Sequence, residues 1–307
     1  IDRHRLRAGR SKGEIQLMSD LIDTPAAQPR QNALWLAFRR NKLSWLGLAL
    51  LGIIVFAAVF APLIAPHDPL QQNILHRLEG PSAQFLLGTD TYGRDVLSRL
   101  IYGARVSLLV GFVAIVIAMV IGSIIGILSG FIGGLFDRVV MSVVDVMLSF
   151  PTLLLGLMIA AMLGASLENL IIAIAITEMA PFARVARGPT IALKQRDFIE
   201  AGRAMGFGPS RLMGRHIFPN MASEVVVMGS MWMASAIRTE ASLSFIGLGV
   251  PPPTATWGGM IREGFENILD SWWLAVFPSL AILFTVLALN ILGDTLRDAI
   301  DPKTRAE

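Results

Sequence analysis

The sequence predicts an all-α polytopic membrane protein with six transmembrane helices, and three observations carry that expectation. First, 54% of the 307 residues are hydrophobic and 16% charged, with a mean hydropathy of +0.61, whereas charged residues make up about a quarter of an ordinary soluble domain. Second, the apolar residues gather into runs near the ~20 residues needed to cross a bilayer. Third, Lys and Arg concentrate on alternate connections between those runs, the pattern that marks cytoplasmic loops.

Taken in order, residues 1–17 are basic and without periodicity, and Met18-Ser19-Asp20 reads as a natural start. The first 17 residues are therefore expected to be an over-extended start, to be set aside in fold reasoning. Residues 18–42 form a cytoplasmic segment bearing Arg30, Arg39, Arg40 and Lys42. The first transmembrane helix occupies 43–66, with its apolar stretch at Leu43–Ile64. It is too long for a signal-peptide core and lacks a clear cleavage site, so it stays as an anchor. Residues 67–104 are a polar extracytoplasmic loop. The core, 105–296, holds the other spans. Val106–Ser129 is the second, with Gly111, Gly122 and Gly126 as close-packing positions. Gly130–Arg138 is a turn, and Val139–Leu163 is the third span, interrupted by Asp145 and Pro151. Leu167–Phe182 is the fourth and Ala222–Ile237 opens the fifth. Phe245–Ser271 is a Pro/Gly-rich loop, and Trp273–Leu292 is the sixth span, with Trp272 and Trp273 as interface anchors.

With six spans, the loop 184–220 and the tail 297–307 share the cytoplasmic side with the N-terminal segment. The loop brings Arg184, Arg187, Lys194, Arg196, Arg203, Arg211 and Arg215, and the tail Arg297, Lys303 and Arg305. The opposite face holds Arg77, Arg94, Arg99, Arg105 and Arg262. A pI near 9.7 is thus explained by topology, and nucleic acid is not an expected partner.

Residues Asp197–Asn220 read as helix, turn, helix, stop. Asp197 caps the first helix and Glu200, three residues on, completes a capping box. Gly206 and Gly208 supply left-handed positions that end it. Pro209 and Ser210 start a second short helix, and Pro219 limits it. A folded polar knob between two apolar spans is suited to docking.

This segment resembles the signature of the membrane subunits of bacterial ABC importers: Glu-Ala-Ala, three residues, Gly, nine residues, then Ile-x-Leu-Pro. Glu200, Ala201, Gly202 and Gly206 fill the first positions, and His216, Ile217, Phe218 and Pro219 the last. Gly202, His216 and Phe218 depart from the pattern. The string Gly88-Thr-Asp-Thr-Tyr-Gly-Arg-Asp95 with Val96-Leu97-Ser98-Arg99 resembles the second permease subunit of peptide and nickel importers. So do Ser244–Gly249, Pro252-Pro253, Trp257-Gly258 and the ending from Gly293-Asp294 to Asp301-Pro302, so the resemblance runs from Trp35 to Lys303. It implies the type I importer permease fold in a bacterial inner membrane, with both termini cytoplasmic. It also implies a homologous second permease, two ATPase subunits and an extracytoplasmic solute-binding protein as partners. Asp197, Glu200, Ala201, Gly202, Gly206, Arg215, His216, Ile217 and Pro219 would couple to the ATPases. Peptides or related small solutes would cross by alternating access, with ATP and Mg held by the partners and no cofactor in this chain.

The Gly88–Asp95 string has two readings: a well-built turn leading into a helix, or a receptor-facing element using Asp90, Gly93, Arg94, Asp95 and, further on, Trp257. Asp145 and Arg138 are seven residues apart, nearly on one helix face. A carboxylate inside a span faces protein or water, so Asp145 either pairs within the bundle or lines the pathway; Glu178 is the other deep acid. Arg238 and Glu240 are expected to make a local or inter-subunit contact, and Met228, Met231 and Met233 to pack adaptably. The chain has no cysteine, its four histidines are scattered, and no G-x-x-x-x-G-K-[ST] phosphate loop occurs, so an enzyme is not expected. The alternative, an ion-gradient-driven secondary transporter, would call for an internal repeat and more embedded ionisable groups.

Overall fold

The computed structural model describes Phe38 and residues 42–300. The expected extension 1–17, most of the 18–42 segment and the end of the tail lie outside the described residues. Within them, regular structure is helical apart from one isolated bridge between Thr89 and Asp95.

Helix α1 (Lys42–Val59) is apolar around its circumference, as suits a lipid-facing helix. After Phe60 a single turn, Ala61–Ile64, closes it with Pro62 near its start. An irregular outer segment follows, containing a 3-10 turn at Ile74–His76. Helix α2 (Val96–Ile132) has 37 residues and begins ten residues before the expected second span. Asp95 explains the early start: its carboxylate accepts from the Ser98 amide at 2.8 Å, satisfying one of the free N–H groups of the first turn. Gly133 and Gly134, at φ of +74° and +63°, reverse the chain into α3 (Gly134–Ser149).

Helices α3 and α4 (Thr152–Leu163) form one bent unit with a 98° angle. Pro151 causes the break, because it offers no N–H and forces Phe150 into extended backbone; the helix runs through Asp145 undisturbed. Helix α5 (Leu167–Lys194), capped by Ser166, continues twelve residues beyond the expected end at Phe182, through Pro181 and Pro189. The knob contains α6 (Asp197–Ala204) and α7 (Pro209–Leu212). It leads into α8 (Phe218–Ile246), then α9 (Trp257–Glu266) and α10 (Trp273–Ile300). Helix α9 lies inside the expected loop; Thr256 caps it by accepting from the Gly259 amide at 3.0 Å.

Four helices, α1, α2, α5 and α10, are long and apolar enough to cross a bilayer, and the bent α3–α4 pair makes a fifth. The one remaining expected crossing, the fifth in chain order, is α8. Its 29 residues suffice in length, about 43 Å at 1.5 Å per residue, but Glu224, Arg238 and Glu240 reduce its apolar character.

The centre of the bundle is the contact of α2 with α5. Gly122, Gly126 and Gly130 recur every four residues on α2. A Cβ at these sites would stand 2.5 Å from the Met179 carbonyl oxygen, 2.3 Å from that of Ala183 and 3.0 Å from that of Arg187. The two backbones therefore touch, which is how small residues drive association where lipid removes the hydrophobic gradient. Gly111 makes a similar approach to Ile237 of α8, at 2.8 Å from Cγ1. Phe182, fully buried, meets Trp232 of α8 edge-on with ring centroids 5.1 Å apart. Helix α1 closes on α10 through Gly47, which faces Ile291, and through a buried 2.7 Å hydrogen bond between Ser44 and Thr295 hydroxyls.

Gly126→Leu is expected to remove the cooperative thermal transition of the detergent-solubilised protein, read by tryptophan fluorescence, because the helices cannot separate locally. Gly188→Ala, on α5 with open space around it, should be neutral or stabilising by up to about 1 kcal/mol, since Ala is the better helix former.

Candidate functional site

The knob differs from its sequence pattern at three points. The N-cap of α6 is Arg196, without a side-chain cap. Asp197 is the first helical residue and Glu200 is exposed, so the capping box does not form; both acids instead sit in the first turn, where the helix N-terminus favours negative charge. Gly206 takes the left-handed conformation, φ +81° with nothing within 4 Å, so it is required for backbone shape alone. Gly208 is extended (φ −69°, ψ 160°) and serves as N-cap of α7, with Pro209 next. Pro219 does not stop the helix. A π-turn at Met213–Ile217 carries the chain straight into α8, and the Phe218 amide bonds back to the Met213 carbonyl. Pro219 then falls in the first turn of α8, where its missing N–H costs nothing.

The knob is tightly packed on its inner side. Ile199, Leu212 and Ile217 are buried. A Cβ at Gly202 would lie 3.0 Å from Leu212 Cδ2 and 3.2 Å from Phe207 Cδ2, so the Ala of the family pattern would press on both side chains. His216 stacks on Phe207, and the Arg211 guanidinium lies 3.9 Å from that ring's centroid on. Outward, α6 shows Asp197, Phe198, Glu200, Ala201, Arg203 and Ala204, with Met205 just after it, while Arg211, Arg215, Phe218 and Pro219 are exposed nearby. The result is a mixed charged and apolar surface on a rigid base. Lys194 donates to the Phe131 carbonyl at the end of α2, and Arg203 of α6 lies 5.7 Å from the same Phe131 ring, tying the knob to the α2–α5 seam.

A second polar constellation lies at the other end of α2. Asp90 accepts from the amides of Tyr92 and Arg94 at 2.9 and 3.0 Å and from Arg94 Nε at 2.6 Å, and Arg99 Nε stands 3.1 Å away. Both arginines reach Glu263 of α9, at 3.4 and 3.6 Å, and Thr91 donates its hydroxyl to the same carboxylate. Gly93, at φ +69°, lets the turn press on Asn73, whose carbonyl oxygen would be 1.8 Å from a Cβ. Trp257 donates its indole N–H to the Leu100 carbonyl, and Trp273 donates to that of Thr89. Asp90, Gly93, Arg94, Asp95 and Trp257 are thus buried. They form the framework of the turn and do not present a receptor-facing surface; only Tyr92 of this string is outwardly exposed. Trp273 is likewise buried, leaving Trp272 as the exposed anchor. Glu263 was not singled out in the sequence, because nothing local distinguishes it from its loop neighbours.

On the exposed flank of α3, Asp145 pairs with Arg184 of α5 rather than with Arg138. Asp137, which the sequence reading missed, receives two 2.6 Å hydrogen bonds from Arg187. Glu178 is buried between α5 and α8, 3.3 Å from the Ser235 hydroxyl. Glu240 is fully buried and accepts from Ser244 at 2.8 Å, while Arg238 is exposed, so the local Arg238–Glu240 contact does not form. No group of acids and histidines suited to a metal occurs among the described residues.

A bundle of apolar helices with a polar knob built into the chain between two of them defines a membrane permease component. Residues 122–306 match the family described as the binding-protein-dependent transport system inner membrane component, and residues 29–81 match the N-terminal TM domain of oligopeptide transport permease C. The chain belongs to that inner membrane component family and is a permease of the ABC importer type. It is 41% identical to the di/tripeptide transport system permease protein DppC of Pseudomonas aeruginosa, over 94% of this chain and 99% of that one. It is 45% identical to the dipeptide transport system permease protein DppC of Escherichia coli, over 93% and 97%. It is 44% identical to the glutathione transport system permease protein GsiD of Shigella flexneri, over 88% and 90%.

Glu263→Ala leaves Arg94 and Arg99 buried with Asp90 as their remaining acid. Breaking one partner of such a network costs about 3–5 kcal/mol, which should appear as a lowered midpoint of thermal unfolding and earlier proteolysis between α9 and α10. Glu263→Gln, which keeps the hydrogen-bonding shape, should lose less.

Proposed function

We propose that this chain is one of two homologous permeases that form the pathway of an ATP-driven importer of peptides or related small solutes. The knob is the observation that carries the reading. Its inner face is locked to the helices on either side, and its outer face shows acids, arginines, small residues and three exposed apolar side chains, Phe198, Met205 and Phe218. Such a surface suits a groove on an ATPase subunit, one on each permease. ATP and Mg belong to those subunits, and this chain is not itself an enzyme. An extracytoplasmic binding protein delivers the cargo. Closure of the ATPase pair draws the knobs together, and the rigid α2–α5 unit turns that motion into outward opening. The names of the relatives support the cargo class.

The chain lies in the bacterial inner membrane with the knob and both termini in the cytoplasm. Because it has no cysteine of its own, Ser210→Cys reports topology directly: it should resist impermeant thiol reagents in intact cells and react in inverted vesicles. Labelling from outside would reverse the orientation.

Two knob variants separate folding from docking. Glu200→Ala removes an exposed side chain that caps nothing, so the thermal midpoint should stay within about 1 °C while co-purification of the ATPase subunits and peptide uptake fall. Gly206→Val imposes a left-handed β-branched residue, which costs upward of ~1–2 kcal/mol, and should lose both local stability and uptake. Uptake in vesicles energised by ATP, against an imposed ion gradient, checks the driving force. Normal ATPase retention and normal uptake in both variants would refute the assignment.

A further inference from the structure

Helix α3 divides its circumference into three arcs. One arc, with Val144 buried and Met141, Met147 and Leu148 half-buried, packs on Ala180 and Ala183 of α5. A second arc is exposed and apolar: Leu135, Val139, Val143 and Val146. The third is exposed and polar. Arg138, Ser142, Asp145 and Ser149 are spaced by four, three and four residues, which places them within one narrow stripe at 100° per residue. Arg184 of α5 completes this stripe through its ion pair with Asp145, and both side chains stay more than half exposed, at 56% and 61%. Beyond Arg184, Gly188 is exposed one turn further along the same side of α5.

Lipid does not cover such a surface. Arg184 opens the basic 184–220 stretch, one turn before Arg187 and ten residues from the end of α5, about 15 Å along the axis; in the topology proposed above this puts the pair at the inner mouth of the bundle, where ionised groups face protein or water. The apolar arc is available to lipid, so α3 sorts its exposed residues between two environments. A lone carboxylate in the pathway would select cargo by charge. The paired guanidinium removes that objection, because the two together carry no net charge.

The geometry points to the Asp145–Arg184 pair as a cargo-facing site on a water-filled route, taking the two charged ends of a zwitterionic peptide. The inference rests on the peptide-importer reading above. The peptide ammonium takes the place of Arg184 beside Asp145, and the peptide carboxylate takes the place of Asp145 on Arg184, whose planar fork suits a carboxylate. One ion pair is exchanged for two. The gain is partly offset by lost hydration, so the cargo is held weakly enough to leave, as a conducting site requires. The Ser142 and Ser149 hydroxyls donate to carbonyls of their own helix, at 2.8 and 2.6 Å. They keep the stripe polar while the charged pair does the reading.

The test uses the complete complex, with its second permease, ATPase subunits and binding protein, in proteoliposomes. Ser142→Cys and Ser149→Cys should react with a charged aqueous thiol reagent at least tenfold faster than Val143→Cys on the apolar arc, read on this chain by intact mass. Equal rates, or protection of both stripe positions by the second permease, overturn the proposal. Uptake is then compared for a zwitterionic dipeptide and its C-terminal amide, each at concentrations saturating the binding protein. Arg184→Gln should lower the ratio of dipeptide to amide uptake at least tenfold. Asp145→Asn should lower uptake of both and leave the ratio within threefold. An unchanged ratio in Arg184→Gln, or loss of the assembled complex in both variants, makes the pair purely structural and overturns the site. A wild-type complex that hydrolyses ATP yet moves neither cargo overturns the peptide reading itself, whatever the thiol rates show.

Discussion

The backbone contact between α2 and α5 is the constraint on which the rest of the molecule depends. In lipid, apolar side chains gain little by leaving one hydrocarbon environment for another, so two helices associate through close packing. Gly122, Gly126 and Gly130 allow that by removing every atom beyond Cα along one seam. Helices α3 and α8 lean on this pair from either side, and the knob is tied to its end through Phe131, Lys194 and Arg203. A force applied to the knob therefore reaches a rigid unit and not a single flexible helix.

The two ends of α2 solve the opposite problem, that of holding polar groups where the chain leaves the apolar region. At its N-terminal end, Asp90, Arg94, Arg99 and Glu263 neutralise one another in a largely buried cluster that pins α9 against the turn before α2. At its C-terminal end, Lys194 satisfies a free carbonyl of the last turn, and Asp137 and Arg187 fix α3 beside α5. The backbone changes direction abruptly at the Gly133-Gly134 reversal, the Pro151 elbow and the knob's glycine turn.

Knob and polar stripe have complementary chemistry. The knob shows a mixed charged and apolar surface. The stripe shows an exposed neutral pair of opposite charges on the flank of the bundle. Both involve α5, the stripe through Arg184 and the knob through the short link after Lys194, so one helix joins the two polar surfaces.

The sequence by itself determined the all-helical membrane class, the close-packing role of Gly111, Gly122 and Gly126, the left-handed turn at Gly206 and the start of α7 at Pro209. Each follows from composition, glycine spacing or local backbone chemistry, which act over a few residues. It misjudged Pro219 as a boundary, because a π-turn carries the chain into α8 and absorbs a proline that would end an isolated helix. It gave α8 as a span but fell short of its full length, and it read α9 as loop, since Glu240 and the paired glycines of α9 look unfavourable until their buried surroundings are known. Only the tertiary structure decided the partners of the charged groups. Asp145 meets Arg184 across 39 residues, and Arg94 meets Glu263 across 169. An ion pair records no trace in the spacing of its members when separate helices bring them together, and whether Asp90 and Trp257 face outward or inward depends on what folds over them.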